Sequence, residues 1–340
     1  MAEPDYRAYA QAGMAALHRW YDPSTGQWTS AGWWNAANAL TAVVQYTKLT
    51  GDTAYEGVIG TTFTAAQRQH AGFINDYYDD NAWWALAWIA AYDVTRDARY
   101  LDTAQTIFAH NAAGWDDACG GGLWWNQAKS YKNAITNELF LTLAAQLHLR
   151  TPGDGGYLTW AQRAWAWFSA SGLIGPSGLV NDGLTPACQN NGGPTWTYNQ
   201  GVILGGLGAL SEITGDLAYT EQGEIIARAA LRTLITTPAS GPQSGQAILT
   251  EPCEAGAGGC NADQVQFKGI FMRNLLDLWQ RTSQPDYEAF ILANASSVWN
   301  NSKNAANEFG VRWTGPFDQA DAARQSSALD SLIAAAALTG

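Results

Sequence analysis

Apolar residues recur at helical spacing through most of the chain, and Ala and Leu are abundant. Runs of β-branched residues bounded by hairpin turns are few, so the pattern predicts a mainly α protein. One junction recurs between the helical segments, with Thr, then Gly or Arg, then Asp, and a Tyr three residues later, at Leu49–Tyr55, Val94–Tyr100 and Ile213–Tyr219. Weaker versions follow Arg150 and Arg281. We interpret each as one helix ending near Thr and the next beginning near Asp, with the Tyr packing across the turn.

An apolar helix with a polar or aromatic start precedes each junction. Five such starts are Trp33–Asn35, Asp79–Asn81, Tyr131–Asn133, Tyr198–Gln200 and Phe267–Gly269, and a sixth apolar helix is predicted at Ala323–Leu338. Six inner helices alternating with about six outer ones predict an (α/α)6 barrel, as a single domain over residues 1–340. Repeated units bury their faces only against neighbours, so the ring must close. The inner helices would then run parallel, with their N-termini at one end.

Three long loops rich in Gly, Asn, Trp and Pro precede predicted inner helices, at residues 114–130, 172–197 and 236–266. Because the inner helices begin at one end of the barrel, we expect these loops to form the walls of one cleft. Functional side chains should therefore be sought in these loops and at the helix starts that follow them.

Asp79 and Asp80 stand together in an aromatic run at the start of the second predicted inner helix. Cleavage of a glycosidic bond uses two carboxyl groups, one to protonate the leaving oxygen and one to attack the sugar carbon or direct water to it. Carboxylates held close together resist ionising simultaneously, so we expect one to keep its proton near neutral pH. Adjacent side chains can reach the separation of about 5 Å that retaining enzymes use. The structural alternative is that both residues simply cap the helix.

Other side chains of the predicted cleft are suited to sugars, because amides, carboxylates and amines pair with hydroxyl groups and aromatic rings stack on sugar faces. We predict substrate binding by Asn35, Tyr78, Asn81, Trp125, Asn126, Asn133, Asp182, Tyr198, Asn199, Gln200 and Lys268. Asp182 could equally be a turn residue, because Asn-Asp-Gly is an ordinary turn sequence. Gly120–Gly122 is not a phosphate loop, since it lacks the Lys-Ser/Thr pair and does not follow a buried strand.

Charged residues make up only 14% of the 340 residues, against 17 tryptophans and 14 tyrosines. The net charge of −12 argues against nucleic acids and anionic membranes, which attract clustered Lys and Arg, and favours a neutral polymer as partner. The sequence has no apolar stretch long enough to cross a membrane, and Met1–Pro4 lacks the features of a signal peptide, so a secreted form would have lost its leader. We expect a monomer without metal or other cofactor.

Cys119, Cys188, Cys253 and Cys260 all lie in Gly-rich or Pro-rich loop segments, which favours two disulfides. Pairing Cys253 with Cys260 would close a short loop and leave Cys119 and Cys188 to join two longer loops, although four cysteines allow three pairings. Zinc binding is the alternative, but the sequence has no Cys-x-x-Cys and its histidines lie on helical segments elsewhere. Oxidised loop cysteines are typical of exported proteins, so we expect secretion.

The chain resembles glycoside hydrolase family 76 in order along nearly its whole length. The similarity lies in Tyr77–Trp88, Gly120–Trp125, Tyr198–Gly201 and Phe267–Phe271. Members are α-1,6-mannanases and related mannan-modifying enzymes, so the resemblance implies an (α/α)6 barrel, retention of configuration and endo-cleavage of an α-1,6-linked mannose backbone. It also implies that Asp79 is the nucleophile and Asp80 the general acid/base, an order that composition and spacing do not fix.

The resulting hypothesis is a secreted endo-α-1,6-mannanase acting on mannan or manno-oligosaccharides. A transglycosidase that uses the same Asp pair but excludes water, and so joins mannan chains, remains an alternative. A sugar isomerase or epimerase is less favoured, because none of the four histidines precedes an inner helix. A noncatalytic glycan-binding toroid is also less favoured, because the Asp pair is intact.

Overall fold

A computed structural model describes residues 4–153, 155–241 and 243–340. In these residues the chain forms twelve α-helices: α1 (Tyr6–His18), α2 (Trp33–Thr50), α3 (Glu56–Ala65), α4 (Tyr78–Thr95), α5 (Ala98–Ala112), α6 (Ala134–Arg150), α7 (Gly155–Ala170), α8 (Thr197–Thr214), α9 (Ala218–Thr233), α10 (Phe267–Thr282), α11 (Pro285–Asn301) and α12 (Ala322–Thr339). Two short antiparallel pairs accompany them, β1 (Tyr21–Asp22) with β2 (Gln27–Trp28) and β3 (Ile235–Thr236) with β4 (Ile248–Leu249). The prediction of a mainly α protein is confirmed.

Even-numbered helices are the more deeply buried set. Every residue is buried from Ala134 to Ala145 in α6, from Asn199 to Ser211 in α8 and from Ala322 to Ala336 in α12. By contrast α5 buries one stripe at helical spacing, made of Tyr100, Leu101, Ala104, Ile107, Phe108 and Asn111. This alternation matches the predicted inner and outer helices, and all six predicted inner helices are present.

The recurring junctions end each helix at a threonine, namely Thr50, Thr95 and Thr214. Each hydroxyl donates to the carbonyl four residues earlier at 2.7–2.8 Å and accepts from the backbone N–H of the following Asp at 3.1–3.2 Å. The residue between Thr and Asp is left-handed, which suits Gly at two junctions and is occupied by Arg96 at the third. Each Asp carboxylate then accepts from the backbone N–H two residues on, at 2.9–3.0 Å.

The predicted helix start at the Asp is confirmed closely at one junction, where Asp97 is the N-cap of α5. At the first junction it is wrong by several residues, because α3 begins only at Glu56. There the Asp52 carboxylate holds the turn instead, accepting from the Tyr46 hydroxyl at 3.1 Å as well as from the backbone.

The chain divides into two compact units, one of Gln67–Ala229 and one of residues up to Ala66 together with Ala230–Gly340. In the first of these, α6 packs against α4, α7 and α8. In the second, α12 packs against α1, α2, α10 and α11. The prediction of a single domain over residues 1–340 stays a prediction.

All four cysteines are paired, Cys119 with Cys188 and Cys253 with Cys260. The prediction of two disulfides is confirmed, and the zinc alternative for these cysteines is wrong because each sulfur is already bonded. The first disulfide joins the loops before α6 and α8, and the second closes a short loop before α10. Within the described ranges, no helix combines the length and apolar character that crossing a bilayer requires.

Candidate active site

Asp79 and Asp80 lie in the first turn of α4, where free backbone N–H groups and the helix dipole favour negative charge. Oδ1 of Asp79 accepts from the backbone N–H of Asp80 at 3.0 Å, and its Oδ2 accepts from the indole Nε1 of Trp125 at 3.0 Å. Oδ2 of Asp80 accepts from Nδ2 of Asn75 at 2.7 Å. Both carboxyl groups are partly buried and oriented by uncharged N–H donors.

Burial and the neighbouring charge of Asp80 raise the pKa of Asp79 well above its ordinary value. The hydrogen bonds from Trp125 and from the backbone oppose this shift, because they stabilise the carboxylate. Burial and a neighbouring carboxylate are also the reasons to expect that one of the two residues keeps its proton near neutral pH, which stays a prediction. A pair that holds a single proton can supply an acid and an anion together.

A buried asparagine cluster holds the start of α4. The amide of Asn81 accepts from the backbone N–H of Asn75 at 2.8 Å and donates to its carbonyl at 3.2 Å. Asn111 donates to the carbonyl of Tyr78 at 2.8 Å. Asn81 therefore fixes Asn75, whose side chain holds Asp80. These buried contacts satisfy Asn81 without a substrate, and its predicted substrate contact stays a prediction.

The loop before α6 pairs with the start of α4. The backbone N–H of Tyr78 donates to the carbonyl of Trp125 at 3.0 Å, and Tyr77 forms a bridge with Asn126. The rings of Tyr77 and Trp125 lie 4.9 Å apart at 57°, and Tyr77 is exposed. They form an aromatic surface beside Asp79. Tyr77 was not among the predicted residues, although its place in the aromatic run was a signal for it.

Two further predicted residues of this region are buried. The ring of Tyr78 lies 5.9 Å from that of His110 in α5. Asn126 accepts from the backbone and the hydroxyl of Ser130 at 3.2 and 3.0 Å. Asn126 thus holds its own loop and the Tyr78 ring packs against α5, and the contact of either side chain with substrate stays a prediction.

Asp182 lies in the loop before α8 and contacts the start of α6. Its backbone carbonyl accepts from the N–H of Ala134 at 2.8 Å, and its Oδ2 accepts from the Tyr131 hydroxyl at 2.7 Å. Burial raises the pKa of Asp182, and hydrogen bonds from Tyr131 and Trp196 oppose this. The side chain is partly exposed. The backbone of Asp182 thus has a structural role and its carboxyl group is held beside Tyr131, while a role as an active-site carboxylate stays a prediction.

Several buried polar atoms near the starts of α6 and α8 have no hydrogen-bond partner in the described part of the chain: Oδ1 of Asn133, both amide atoms of Asn199 and both carboxyl oxygens of Glu138. Burial and the charge of Asp182 raise the pKa of Glu138 well above its ordinary value. Such atoms need water or a ligand for satisfaction. Sequence reasoning missed Glu138, for which the only signal was a lone acid within an apolar inner helix.

Gln200 and Tyr198, the other two predicted residues at the start of α8, differ in environment from Asn199. The amide of Gln200 bonds both backbone groups of Val180 at 2.8 Å and the carbonyl of Trp196 at 3.0 Å. Gln200 thereby fixes the loop before α8. Tyr198 is partly exposed in the first turn of the helix. Substrate contact by either stays a prediction.

Asn35 and Lys268 belong to the other compact unit. Asn35 is buried in the first turn of α2, and its Nδ2 has no partner in the described residues. Lys268 is buried in the first turn of α10 and donates to Glu254 and to the carbonyl of Val311, each at 2.6 Å. Its Nζ also lies 4.5 Å from the ring centre of Trp313. These contacts hold Lys268 inside the protein, and its predicted contact with substrate stays a prediction.

Comparison with known proteins bears on this site. A model of the family described as glycosyl hydrolase family 76 matches residues 7–339. The chain is 32% identical over 270 residues to mannan endo-1,6-alpha-mannosidase DCW1 of Saccharomyces cerevisiae, covering 72% of this chain and 57% of that protein. It is 30% identical over 315 residues to the protein of the same name from Candida albicans, covering 83% and 67%. The chain thus spans about 57% of the length of the yeast relative.

Solved structures match almost the whole chain. The Lin0763 protein of Listeria innocua is similar with a TM-score of 0.85 and 25% identity, covering 99% of this chain and 98% of that one. The alpha-1,6-mannanase GH76A of Salegentibacter sp. HEL1_6 is similar with a TM-score of 0.84 and 23% identity, covering 98% and 99%. That structure is of an inactive variant, substituted with alanine at two consecutive aspartates, in complex with alpha-1,6-mannotetrose. These likenesses confirm the predicted (α/α)6 fold class.

Proposed function

The chain belongs to glycosyl hydrolase family 76, and from that premise we propose that it hydrolyses internal α-1,6-mannosidic bonds of mannan with retention of configuration. The observation that carries the proposal is the Asp79–Asp80 pair in the first turn of α4, with the Trp125 indole bonded to Asp79. Two carboxyl groups on one helical turn supply the nucleophile and the acid that double displacement needs.

In the proposed reaction Asp79 attacks the anomeric carbon. Both oxygens of Asp79 accept hydrogen bonds from N–H groups, which oppose the rise in its pKa and stabilise the attacking carboxylate, and Asp80 is the proposed proton donor. Asp80 gives that proton to the departing oxygen as the carbon–oxygen bond breaks, and a mannosyl ester forms on Asp79. The ester carries no charge, so Asp80 becomes more acidic and can then take a proton from the attacking water. Hydrolysis of the ester restores both carboxyl groups.

The substrate class draws support from the relatives. Two curated relatives are named mannan endo-1,6-alpha-mannosidases, and the Salegentibacter enzyme binds alpha-1,6-mannotetrose in a variant whose consecutive aspartates are replaced. Asp79 and Asp80 are consecutive as well. Tyr77 and Trp125 provide ring faces for mannose units, and Asp182 provides a held carboxylate for their hydroxyl groups.

We also propose that the protein works outside the cytosol, because both disulfides join loop cysteines and such bonds persist in oxidising compartments. The monomeric state and the exclusion of nucleic acid partners stay predictions from the sequence.

The test is incubation of the protein with linear α-1,6-mannan. We expect a ladder of oligosaccharides, with the α-anomer appearing first in proton NMR spectra taken at early times. Asp79→Asn should abolish hydrolysis, whereas Asp102→Asn, an exposed aspartate of α5, should not. Release of mannose alone, first appearance of the β-anomer or full activity of Asp79→Asn would each contradict part of the proposal. Products longer than the substrate would favour the transglycosidase.

A further inference from the structure

Lys132 is a buried lysine directly before the N-cap of α6. Its Nζ donates to Oδ1 of Asp116 at 3.0 Å and to three backbone carbonyls, those of Ala118 at 2.5 Å, Gly121 at 2.6 Å and Gly122 at 3.0 Å. The ammonium also lies 4.9 Å from the ring centre of Trp124. We call the three carbonyls of Ala118, Gly121 and Gly122 the carbonyl cage.

The backbone of the cage explains the three consecutive glycines. Residues 119–122 all have positive φ, at 57°, 75°, 139° and 85°, a conformation that L side chains rarely adopt. A Cβ at Gly121 or Gly122 would also meet the Trp167 ring, at 2.9 and 2.6 Å. The glycines therefore allow the chain to turn its carbonyls toward one internal cation.

A short path leads from the cage to Asp79. Leu123 follows the cage and bonds the side chain of Asn137 through both its backbone groups, at 2.7 and 3.0 Å. Two residues later, the backbone N–H of Trp125 donates to the carbonyl of Tyr131 at 2.7 Å. The indole of Trp125 then reaches Asp79. Only Leu123 and Trp124 separate the cage from Trp125, so the position of the cage can affect that of the indole.

We propose that Lys132 is a positioning residue, whose ammonium holds the loop before α6 so that the Trp125 indole stays hydrogen-bonded to Asp79. The inference rests on the proposed function of Asp79 as nucleophile. Removing Lys132 takes the ammonium donor from the buried carbonyls of Gly121 and Gly122, whereas the Ala118 carbonyl keeps the backbone N–H of Gly121 at 3.2 Å. Unsatisfied buried carbonyls favour a rearranged loop. An apolar side chain of similar length would fill the space without restoring the donors.

Direct electrostatics are a poor alternative route from Lys132 to Asp79. The charged groups that face Lys132 are Asp116, Asp117 and Lys129, and the charge that acts on Asp79 is that of Asp80. Although burial opposes its charge, hydrogen bonds from Trp124, Lys129 and Lys132 lower the pKa of Asp116 well below its ordinary value. The ammonium is therefore balanced locally by a carboxylate, and its connection to Asp79 runs through the loop that carries the Trp125 indole.

The test compares Lys132→Met, Trp125→Phe and the double variant by the pH dependence of kcat/KM on α-1,6-mannan. The indole bond stabilises the Asp79 carboxylate, so its loss raises the pKa of Asp79 and moves the acidic limb to higher pH. We expect each single variant to move the limb upward by about half a unit to one unit, and the double variant to match Trp125→Phe. Additive shifts, or an unchanged limb in Lys132→Met, would overturn the inference.

Arg150→Met is the matched control, because Arg150 ends the same helix and pairs with Asp93, far along the chain from the carbonyl cage. Arg150→Met should lower the melting temperature without moving the acidic limb of the kcat/KM profile. If Lys132→Met does not fold, Asp116→Asn provides the second variant, since it keeps the shape of the side chain and removes its charge. A smaller upward shift is expected for it, and no shift would count against the positioning role.

A measurement without substrate separates this inference from the proposed function. In protein labelled with 13C at aspartate carboxyl groups, the Asp79 signal is assigned by its loss in Asp79→Asn and titrated in each variant. An upward shift in Lys132→Met supports the positioning role even if the wild-type protein cleaves no mannan. Activity on mannan with no shift in this titration would leave the proposed function intact and remove the role of Lys132.

Discussion

The indole nitrogen of Trp125 lies 3.0 Å from Oδ2 of Asp79, a residue 46 positions earlier in the chain. This hydrogen bond connects the loop before α6 to the first turn of α4. The same loop contains Cys119, whose disulfide joins it to the loop before α8. The environment of Asp79 thus depends on a segment that is itself fixed by Lys132 and by a covalent bond.

The proposed roles of the two aspartates can be distinguished with an activated aryl α-manno-oligosaccharide, whose leaving group needs no acid. Asp79→Asn should lose on the order of 10³-fold or more in kcat/KM on mannan and on the aryl substrate alike. Asp80→Asn should lose as much on mannan but retain formation of the ester from the aryl substrate. Added azide should then rescue turnover of Asp80→Asn, giving a mannosyl azide of retained configuration. A mannosyl azide of retained configuration from Asp79→Asn in place of Asp80→Asn would reverse the assignment.

Glu138 should make stability fall with rising pH. Burial raises its pKa in the folded protein, so the folded state binds this proton more tightly than the unfolded chain, whose pKa is about 4.3. Its contribution is therefore complete below that value and is lost as the pH rises through the folded pKa. Glu138→Gln removes the ionisation, and its melting temperature should exceed that of the wild type increasingly from pH 4 to pH 8. An equal difference at both pH values would contradict a raised pKa of Glu138.

The two disulfides should contribute unequally to the free energy of unfolding. Cys119–Cys188 spans 69 residues and Cys253–Cys260 spans 7, and cross-linking a longer loop removes more entropy from the unfolded chain. Replacing both cysteines of a pair by serine should cost about 4 kcal/mol for the first and about 2.5 kcal/mol for the second. Denaturant unfolding of the two double variants measures this directly. A larger loss from the Cys253–Cys260 pair would show that native contacts, rather than loop closure, dominate.

The need for glycine in the segment that forms the carbonyl cage can be tested at Gly120 and Gly122. Gly120→Ala meets no atom within 4 Å, so it should cost only the strain of a positive φ, about 1 kcal/mol. Gly122→Ala has the same kind of strain and also meets the Trp167 ring, so it should cost about 2 kcal/mol or more. Thermal unfolding of both variants provides the comparison. Equal losses would mean that the Trp167 ring moves aside freely.

The fold could be predicted because its signals are local. The Thr-to-Asp junctions are completed by hydrogen bonds within a few residues, as at Thr95 and Asp97, and helical periodicity needs no distant partner. The Asp pair was identifiable for the same reason, since adjacent carboxylates in a helix start have a chemical meaning before any fold is known. Element starts were least secure where loops intervene, as at α3.

The environments of the site residues could not be predicted, because they depend on contacts between segments that are distant in the sequence. From the sequence alone, Asn81 and Lys268 have the polar side chains expected of residues that bind sugar hydroxyl groups. In the structure both side chains are buried and bonded to other protein groups. Gly120–Gly122 has a partner in Lys132, which follows ten residues after Gly122 at a predicted helix start, and nothing in the local sequence pointed to this contact. Burial of Glu138 likewise follows from the packing of α6 against α4 and α8.

The carbonyl cage has a consequence for how this protein would meet a polysaccharide. The cation of the cage is the ammonium of Lys132, which is covalently part of the chain. The loop that carries Trp125 is therefore held without a ligand. It loses its conformational freedom when the polypeptide folds, and little of that freedom is left to lose when a glycan binds. Preorganisation of this kind leaves more of the contact energy available to hold a flexible glycan against the helix start.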